Sequence, residues 1–178
     1  MDDLVRRQSE FLELLKPFQQ KLESFCLNIT RDRDAARDLM QDTIVVLWQR
    51  FESIRDYSAF KSYAYTVAVN SYKRKYTRQR FFGLLTEEHQ ESLAASGSSP
   101  EQLTDNAILH DALGKLPHRS REALMLYEIA DMPIAEIQKI QGGTISSIKI
   151  RLMRARRTLQ HHLGVSPQFS EQQQVGAE

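Results

Sequence analysis

Five basic side chains, Lys149, Arg151, Arg154, Arg156 and Arg157, fall between Ile145 and Leu163 with no Asp or Glu among them. At about 100° per residue, Ile145, Ile148, Leu152, Ala155 and Leu159 stack on one helix face. Ser146, Ile150, Met153, Arg154 and Arg157 share the opposite face, with Lys149 and Arg151 on its flanks. Cations without competing carboxylates, on a helix that an apolar stripe can anchor, have the chemistry to hold phosphates. Just upstream, Pro133 to Ile140 reads as a shorter helix, with Pro133 suited to the first helical position because its missing N–H would be unpaired there. Gln141-Gly142-Gly143 breaks that helix, and Thr144 can cap the next by accepting a bond from an orphan N–H. A short helix, a glycine turn and a long basic helix make a helix-turn-helix shaped for the DNA major groove. The plainer reading is a helical hairpin with a solvated basic face. The coincidence of turn, cap and one-sided charge favours DNA.

Covalent chemistry has no comparable support. His89, His110, His118, His161 and His162 share no metal-ligand spacing with one another or with Cys26, and no phosphate-cradling glycine loop or activated nucleophile is present. No catalytic residue, metal or cofactor is therefore expected. Cys26, the single cysteine, lies between Phe25 and Leu27 in a helical pattern and is expected to be a buried structural thiol.

The elements that must position the basic helix follow from punctuation. Pro17, Pro100, Pro117 and Pro133, with Gly83, Gly114, Gly142, Gly143 and Gly164, all fall at or beside breaks, and no period-two pattern appears. The chain reads as all-α: two small helical domains joined by a flexible linker, the C-terminal one a helix-turn-helix. Helices are expected over roughly Leu4 to Lys16, from Phe18 to Ile29, from Arg33 to Phe51 behind an Asp32 cap, and from Phe60 into the basic segment. Ser53 to Ser58 is expected to be a loop. Ser99 caps a helix that ends near Gly114, and another runs from His118 to about Ala130. The domains are placed at 1–82 and 103–163, with a linker at 83–102 and a frayed tail at 164–178.

A net charge of +1 over 178 residues hides strong segregation. Ser71 to Phe82 holds Lys73, Arg74, Lys75, Arg78 and Arg80 and no acid, whereas Gly83 to Asp111 holds Glu87, Glu88, Glu91, Glu101, Asp105 and Asp111 and no Lys or Arg. Two basic patches flank an acidic bridge, so affinity of the free chain for DNA is expected to be modest and salt-sensitive. The longest strongly apolar run, Ile44 to Trp48, is far below the ~20 residues of a membrane span. The acidic start Met1-Asp2-Asp3, with no apolar signal region after it, points to a cytoplasmic protein without membrane insertion.

Two motifs then carry a resemblance. Asp34-Ala-Ala-Arg-Asp-Leu-Met-Gln-Asp-Thr43 followed by Leu47-Trp48, with Phe60 to Asn70 as its continuation, resembles the second conserved region of bacterial sigma factors. Leu116-Pro-His-Arg-Ser-Arg-Glu-Ala-Leu124, then Ile134 to Arg157, is similar to the fourth region. Having only these two regions on a short chain resembles the extracytoplasmic-function subfamily.

The resemblance implies a transcription initiation factor that binds core RNA polymerase and melts selected promoters, with an anti-sigma factor as an optional further partner. Asp38, Gln41 and Asp42 match the polymerase-docking patch. The loop with Ile54, Arg55 and Tyr57 matches the segment that captures an extruded minus-ten base; Asn70 matches a base-contacting position, and Lys73, Arg74, Lys75, Arg78 and Arg80 would grip the adjacent backbone. Thr144, Ser146, Ser147, Lys149, Ile150, Arg151, Arg154 and Arg157 match the surface that enters the minus-thirty-five major groove, where arginine can face guanine and an apolar side chain a thymine methyl. For Tyr63 and Tyr65 packing is expected. Gln138, Gln141 and Gly143 depart from the family's pattern and are expected to loosen the turn. The acidic linker, through Glu87, Glu88 and Glu91, is expected to lie along a basic channel of the polymerase. The rival is a helix-turn-helix regulator of the response-regulator output type, which would act as a dimer on palindromic DNA without polymerase.

Overall fold

A computed structural model describes residues 2–81 and 100–164, with the side chains at 2, 76, 78–81 and 100–106 excepted. The linker acids Glu87, Glu88 and Glu91, the Ser99 cap, the tail from 165 and the side chains of Arg78 and Arg80 lie outside the described residues. Among those residues the elements are α1 (Asp2–Leu15), α2 (Gln19–Thr30), α3 (Arg33–Arg50), α4 (Phe60–Phe81), α5 (Pro100–Gly114), α6 (His118–Glu128), α7 (Ile134–Gln141) and α8 (Ile145–Leu163), with no strand.

In the first half α3 packs between α2 and α4. Its start is fixed by Asp32, whose carboxylate accepts the Ala35 N–H at 2.7 Å, after Arg31 has turned the chain at φ 61. Ala36, Leu39, Met40, Thr43 and Leu47 are buried; the buried Thr43 hydroxyl donates to the Leu39 carbonyl at 2.7 Å, and Val46 is only half-buried at the edge of the core. The core is aromatic at one end. Phe51 meets Phe11 at 5.3 Å, Phe60 at 6.0 Å and Trp48 at 6.3 Å between ring centres. The expected loop after α3 is more ordered than its polarity suggests: 3-10 turns at Phe51–Ser53 and Tyr57–Ala59 bracket Ile54 to Asp56. Asp56 sets the second turn by accepting from the Ser58 N–H at 2.9 Å and its hydroxyl at 2.6 Å, which holds the carboxyl below the usual carboxylate range.

In the second half α6 ends at Glu128, short of the expected Ala130. Asp131 takes φ 50, and the Met132 N–H reaches back to the Leu126 carbonyl at 3.1 Å, closing the helix end. Pro133 is the cap of α7, one position earlier than expected. Its ψ of 148 is extended, while its carbonyl already accepts from Glu136 and Ile137. Gly142 at φ 74 and Gly143 at φ 91 make the turn. Thr144 then accepts the Ser147 N–H and Ser147 accepts the Thr144 N–H, both at 3.1 Å, forming a reciprocal cap on α8. Ile148, Leu152 and Ala155 are buried along α8, but Ile145, at its first position, is exposed.

The two halves are not independent in this state. One continuous apolar cluster runs from Phe11 to Ala155, with α2 against α6 and α4 against α7. Lys21 pairs with Asp131 and Ser62 with Glu136 across the junction. The Arg31 guanidinium sits directly on Gly114, where an added Cβ would lie 2.3 Å from its Nη1. Gly114→Ala alone is therefore expected to leave stability level or lower it. In an Arg31→Ala background the same change raises it by about 0.5–1 kcal/mol, the ordinary helical gain of alanine over glycine. A double-mutant cycle by urea denaturation reads the difference, and additivity would remove this contact from the account.

Candidate functional site

Three surfaces carry the expected site residues. On α3, Asp38, Gln41 and Asp42 are all exposed on one face, as their spacing requires. Val45, one turn on, joins them with 52% of its surface open; its apolar character hid it from a reading of that face as purely polar. Asp42 is not free: Lys75 Nζ of α4 lies 2.9 Å from its carboxylate, so a residue of the docking patch pairs with one of the basic segment. Both partners are about half exposed, and such pairs contribute little to stability.

The second surface surrounds the 3-10 turns. Arg55 is exposed, and Tyr57 keeps 46% of its surface open while its ring lies 5.6 Å from Phe51 and 4° from parallel. Tyr57 fronts an open cleft of ≈ 320 Å³ whose lining includes Leu14, Phe18, Lys21, Ser58 and Lys61. Lys61 comes from the start of α4, the helix expected to line this site, whereas Lys21 comes from α2, which motif spacing did not connect with the loop. Ile54 packs half-buried against the core, an anchor for the loop more than a contact. Asn70 and Arg74 are exposed on α4. Tyr65 is fully buried against Phe25, with its ring pushed above its ordinary pKa by burial, and Tyr63 packs at the core edge. Cys26 is buried beside them, its thiol raised to about 12 by loss of solvation, so it is unreactive.

The third surface is α8. Ser146, Lys149, Ile150, Met153, Arg154 and Arg157 are exposed. Thr144 and Ser147 have their hydroxyls committed to the cap. Arg151 turns away from that face and donates to the Gln141 side-chain oxygen.

Gln141 explains why. Its amide, buried, donates to the Glu122 carboxylate at 2.8 Å and to the Arg119 carbonyl at 3.0 Å, and Arg119 in turn donates to the Gln141 carbonyl at 2.5 Å. Gln138 donates to the Gly143 carbonyl at 2.8 Å. The expectation that these polar residues loosen the turn is wrong, because each finds a partner that ties the turn down. Glu122 is fully buried, and Lys73 Nζ of α4 reaches it from the first half at 3.2 Å. The Tyr72 ring stacks on His118 at 5.1 Å beside that pair. Lys73, expected to hold a DNA phosphate, here holds an internal carboxylate.

Burial lowers the pKa of His118, opposed by Glu122 and reinforced by Arg121 and Lys73; burial, Arg31 and Arg121 lower that of His110. Both rings are stabilised neutral in the fold, so the unfolded chain binds more protons as the pH falls. Their contribution is complete above the ordinary histidine value of about 6.5 and is lost as the pH drops through the lower folded values. The thermal midpoint should therefore fall between pH 7.5 and 5.5, and His110→Asn/His118→Asn should flatten that slope. A slope unchanged in the double variant would assign it elsewhere.

Among the described residues no group of three or more His, Cys, Asp or Glu could hold a metal ion, and no helix is long and apolar enough to cross a membrane. Residues 14–82 match the model of Sigma-70 region 2, and residues 106–159 that of Sigma-70, region 4. The RNA polymerase sigma factor YlaC of Bacillus subtilis is 24% identical over 164 residues, covering 89% of this chain and 95% of that protein. The ECF RNA polymerase sigma factor SigM of the same species is 27% identical, covering 83% and 91%. Among solved structures, the sigma factor RpoE from Bartonella quintana, crystallised with the anti-sigma factor NepR, superposes with a TM-score of 0.72 at 28% identity over 93% of this chain and 99% of that one. CnrH, solved with the cytosolic domain of CnrY, shares the fold with a TM-score of 0.65 at 21% identity. Two matched regions in the family's order, borne on helices that present the expected faces, make this chain a member of the sigma-70 family and an RNA polymerase sigma factor of the extracytoplasmic-function type.

Proposed function

We propose that the chain brings core RNA polymerase to a promoter by docking through Asp38, Gln41, Asp42 and Val45 of α3, and that it opens the DNA by trapping an unpaired base at Tyr57. One observation supports this most: the α3 face and the α8 face are both solvent-exposed and lie in the two separately matched segments, 14–82 and 106–159, so one can hold an enzyme while the other holds duplex. Tyr57 offers a ring backed by Phe51, and the cleft lysines Lys21 and Lys61 suit the flanking phosphates. Stacking a flipped base there offsets the few kcal/mol of unstacking. On α8, Ser146, Lys149, Ile150, Arg154 and Arg157 read or grip the minus-thirty-five groove, while Thr144 and Ser147 shape the helix start. Anti-sigma factors are a further partner class, on the strength of the likeness to RpoE.

Minus-ten and minus-thirty-five elements lie roughly 25 base pairs apart, on the order of 80 Å of B-DNA. A compact chain of this length is roughly 40 Å across, so halves joined through Lys73–Glu122 and Lys21–Asp131 do not reach both elements at once. Promoter engagement therefore needs the junction to open, which releases Lys73 and Lys21 for phosphate. A cytoplasmic location follows from this function.

Run-off transcription with purified core polymerase on genomic fragments tests the reading. Discrete transcripts should appear only when the chain is added. A chain that instead bound palindromic DNA as a dimer and gave no transcript would favour the response-regulator-type alternative.

A further inference from the structure

The exposed side of α8 is not uniformly polar. Ile150 and Met153 stand open at 45% and 61% of their surface. One exposed apolar side chain is ordinary, but two adjoining ones on a basic face form a small apolar patch. At 100° per residue the pair lies 60° apart and one turn apart, so the two side chains form one continuous strip. Ile150 points almost directly away from the buried line of Ile148, Leu152 and Ala155. Arg154, Arg157 and Lys149, all exposed, border the strip, and no acidic residue occurs anywhere on the helix.

The basic border fixes what the strip can meet. Such a face is drawn to phosphates, and the strip at its centre is then carried to the floor of the groove between them. Base edges in the major groove present donors, acceptors and one apolar group, the C5-methyl of thymine. An apolar side chain driven against any other edge desolvates a polar atom without replacing its bond. Only thymine repays the contact.

Resting on the groove-reading function of α8, we propose that Ile150 and Met153 are specificity-determining residues that select thymine methyl groups in the duplex element this helix reads. Their side chains divide the task. Ile150 is β-branched and stiff, so it specifies one methyl sharply; Met153 is unbranched and adapts to a methyl at either of two adjacent steps.

Uracil substitution removes the methyl and nothing else. The probe is a randomised 20-base-pair duplex library, enriched on the full-length chain bound to core polymerase and then resynthesised with uracil in place of each thymine in turn. Wild type should bind about fourfold more weakly at one or two of these positions, the change expected for one buried methyl at ~0.8 kcal/mol. Ile150→Ala and Met153→Ala should each lose the discrimination at a different position, while Met153→Leu keeps it. Both side chains are exposed, so the variants should melt like wild type. Equal binding of every uracil duplex by wild type would overturn the inference while leaving groove reading intact. Failure of the library to enrich any sequence would overturn both.

Discussion

Replacing Glu122 with alanine should lower stability by about 3 kcal/mol, one of the two largest effects expected of any single substitution here. The carboxylate is fully buried, accepts from Gln141 at 2.8 Å and faces Lys73 at 3.2 Å, so its removal leaves one N–H of a buried amide without a partner, the other still reaching the Arg119 carbonyl, and a half-buried ammonium uncompensated. The figure sits at the low end of the range for broken buried pairs because Lys73 keeps 35% of its side-chain surface in water. Urea denaturation measures it. Restoring neutrality with Lys73→Met in the same chain should recover part of the loss, and it would show that the charge and not only the amide matters. A second readout concerns the halves themselves: the Glu122→Ala chain should show a larger radius by small-angle scattering, since a tie across the junction is gone. A loss below about 1 kcal/mol with unchanged dimensions would mean that the pair contributes neither stability nor closure.

Phe51→Ala should cost about 3–5 kcal/mol, because the ring is buried at the centre of four others. The consequence extends beyond folding. Tyr57 is held flat against Phe51, so a variant still folded at low temperature leaves Tyr57 without a backing ring. Promoter opening, followed by the fluorescence of 2-aminopurine in the melted segment, should then fall further than polymerase binding does. Phe51→Leu, which fills most of the volume without the flat face, separates the two effects: stability largely returns and opening does not. Recovery of both together would deny Tyr57 its stacking role.

Local chemistry made much of this molecule legible from its residues. Asp32 and Thr144 cap the helices that their side chains suggested, and the Ile148-Leu152-Ala155 line is the buried side of α8. Such features depend on neighbours three or four positions away, which a sequence displays directly. What the residues did not disclose depends on distant partners. Lys73 and Glu122, forty-nine positions apart by number, meet only because side chains at the middle of α4 reach α6 across the junction, and no period records that. Gln141 read as a polar intruder in the turn because its partners, Glu122, Arg119 and Arg151, come from two other helices. Arg151 lay on a flank of the groove-facing side by angle alone; its pairing with Gln141 decided against that use in the closed state. Lys21 joined the Tyr57 cleft for the same reason, since packing and not spacing brings it there, whereas Lys61, four positions from Tyr57, was within local reach.

If α3 holds polymerase while α8 holds duplex, loss of the α3 face must weaken the grip on the enzyme. Fluorescently labelled full-length chain is titrated with core polymerase, wild type beside Asp38→Ala/Gln41→Ala. Both substituted residues are exposed, so folding should be unaffected. Wild type should bind saturably and the variant at least tenfold more weakly, roughly 1.4 kcal/mol or more. Equal affinities, or no binding by wild type, would take the docking role away from α3.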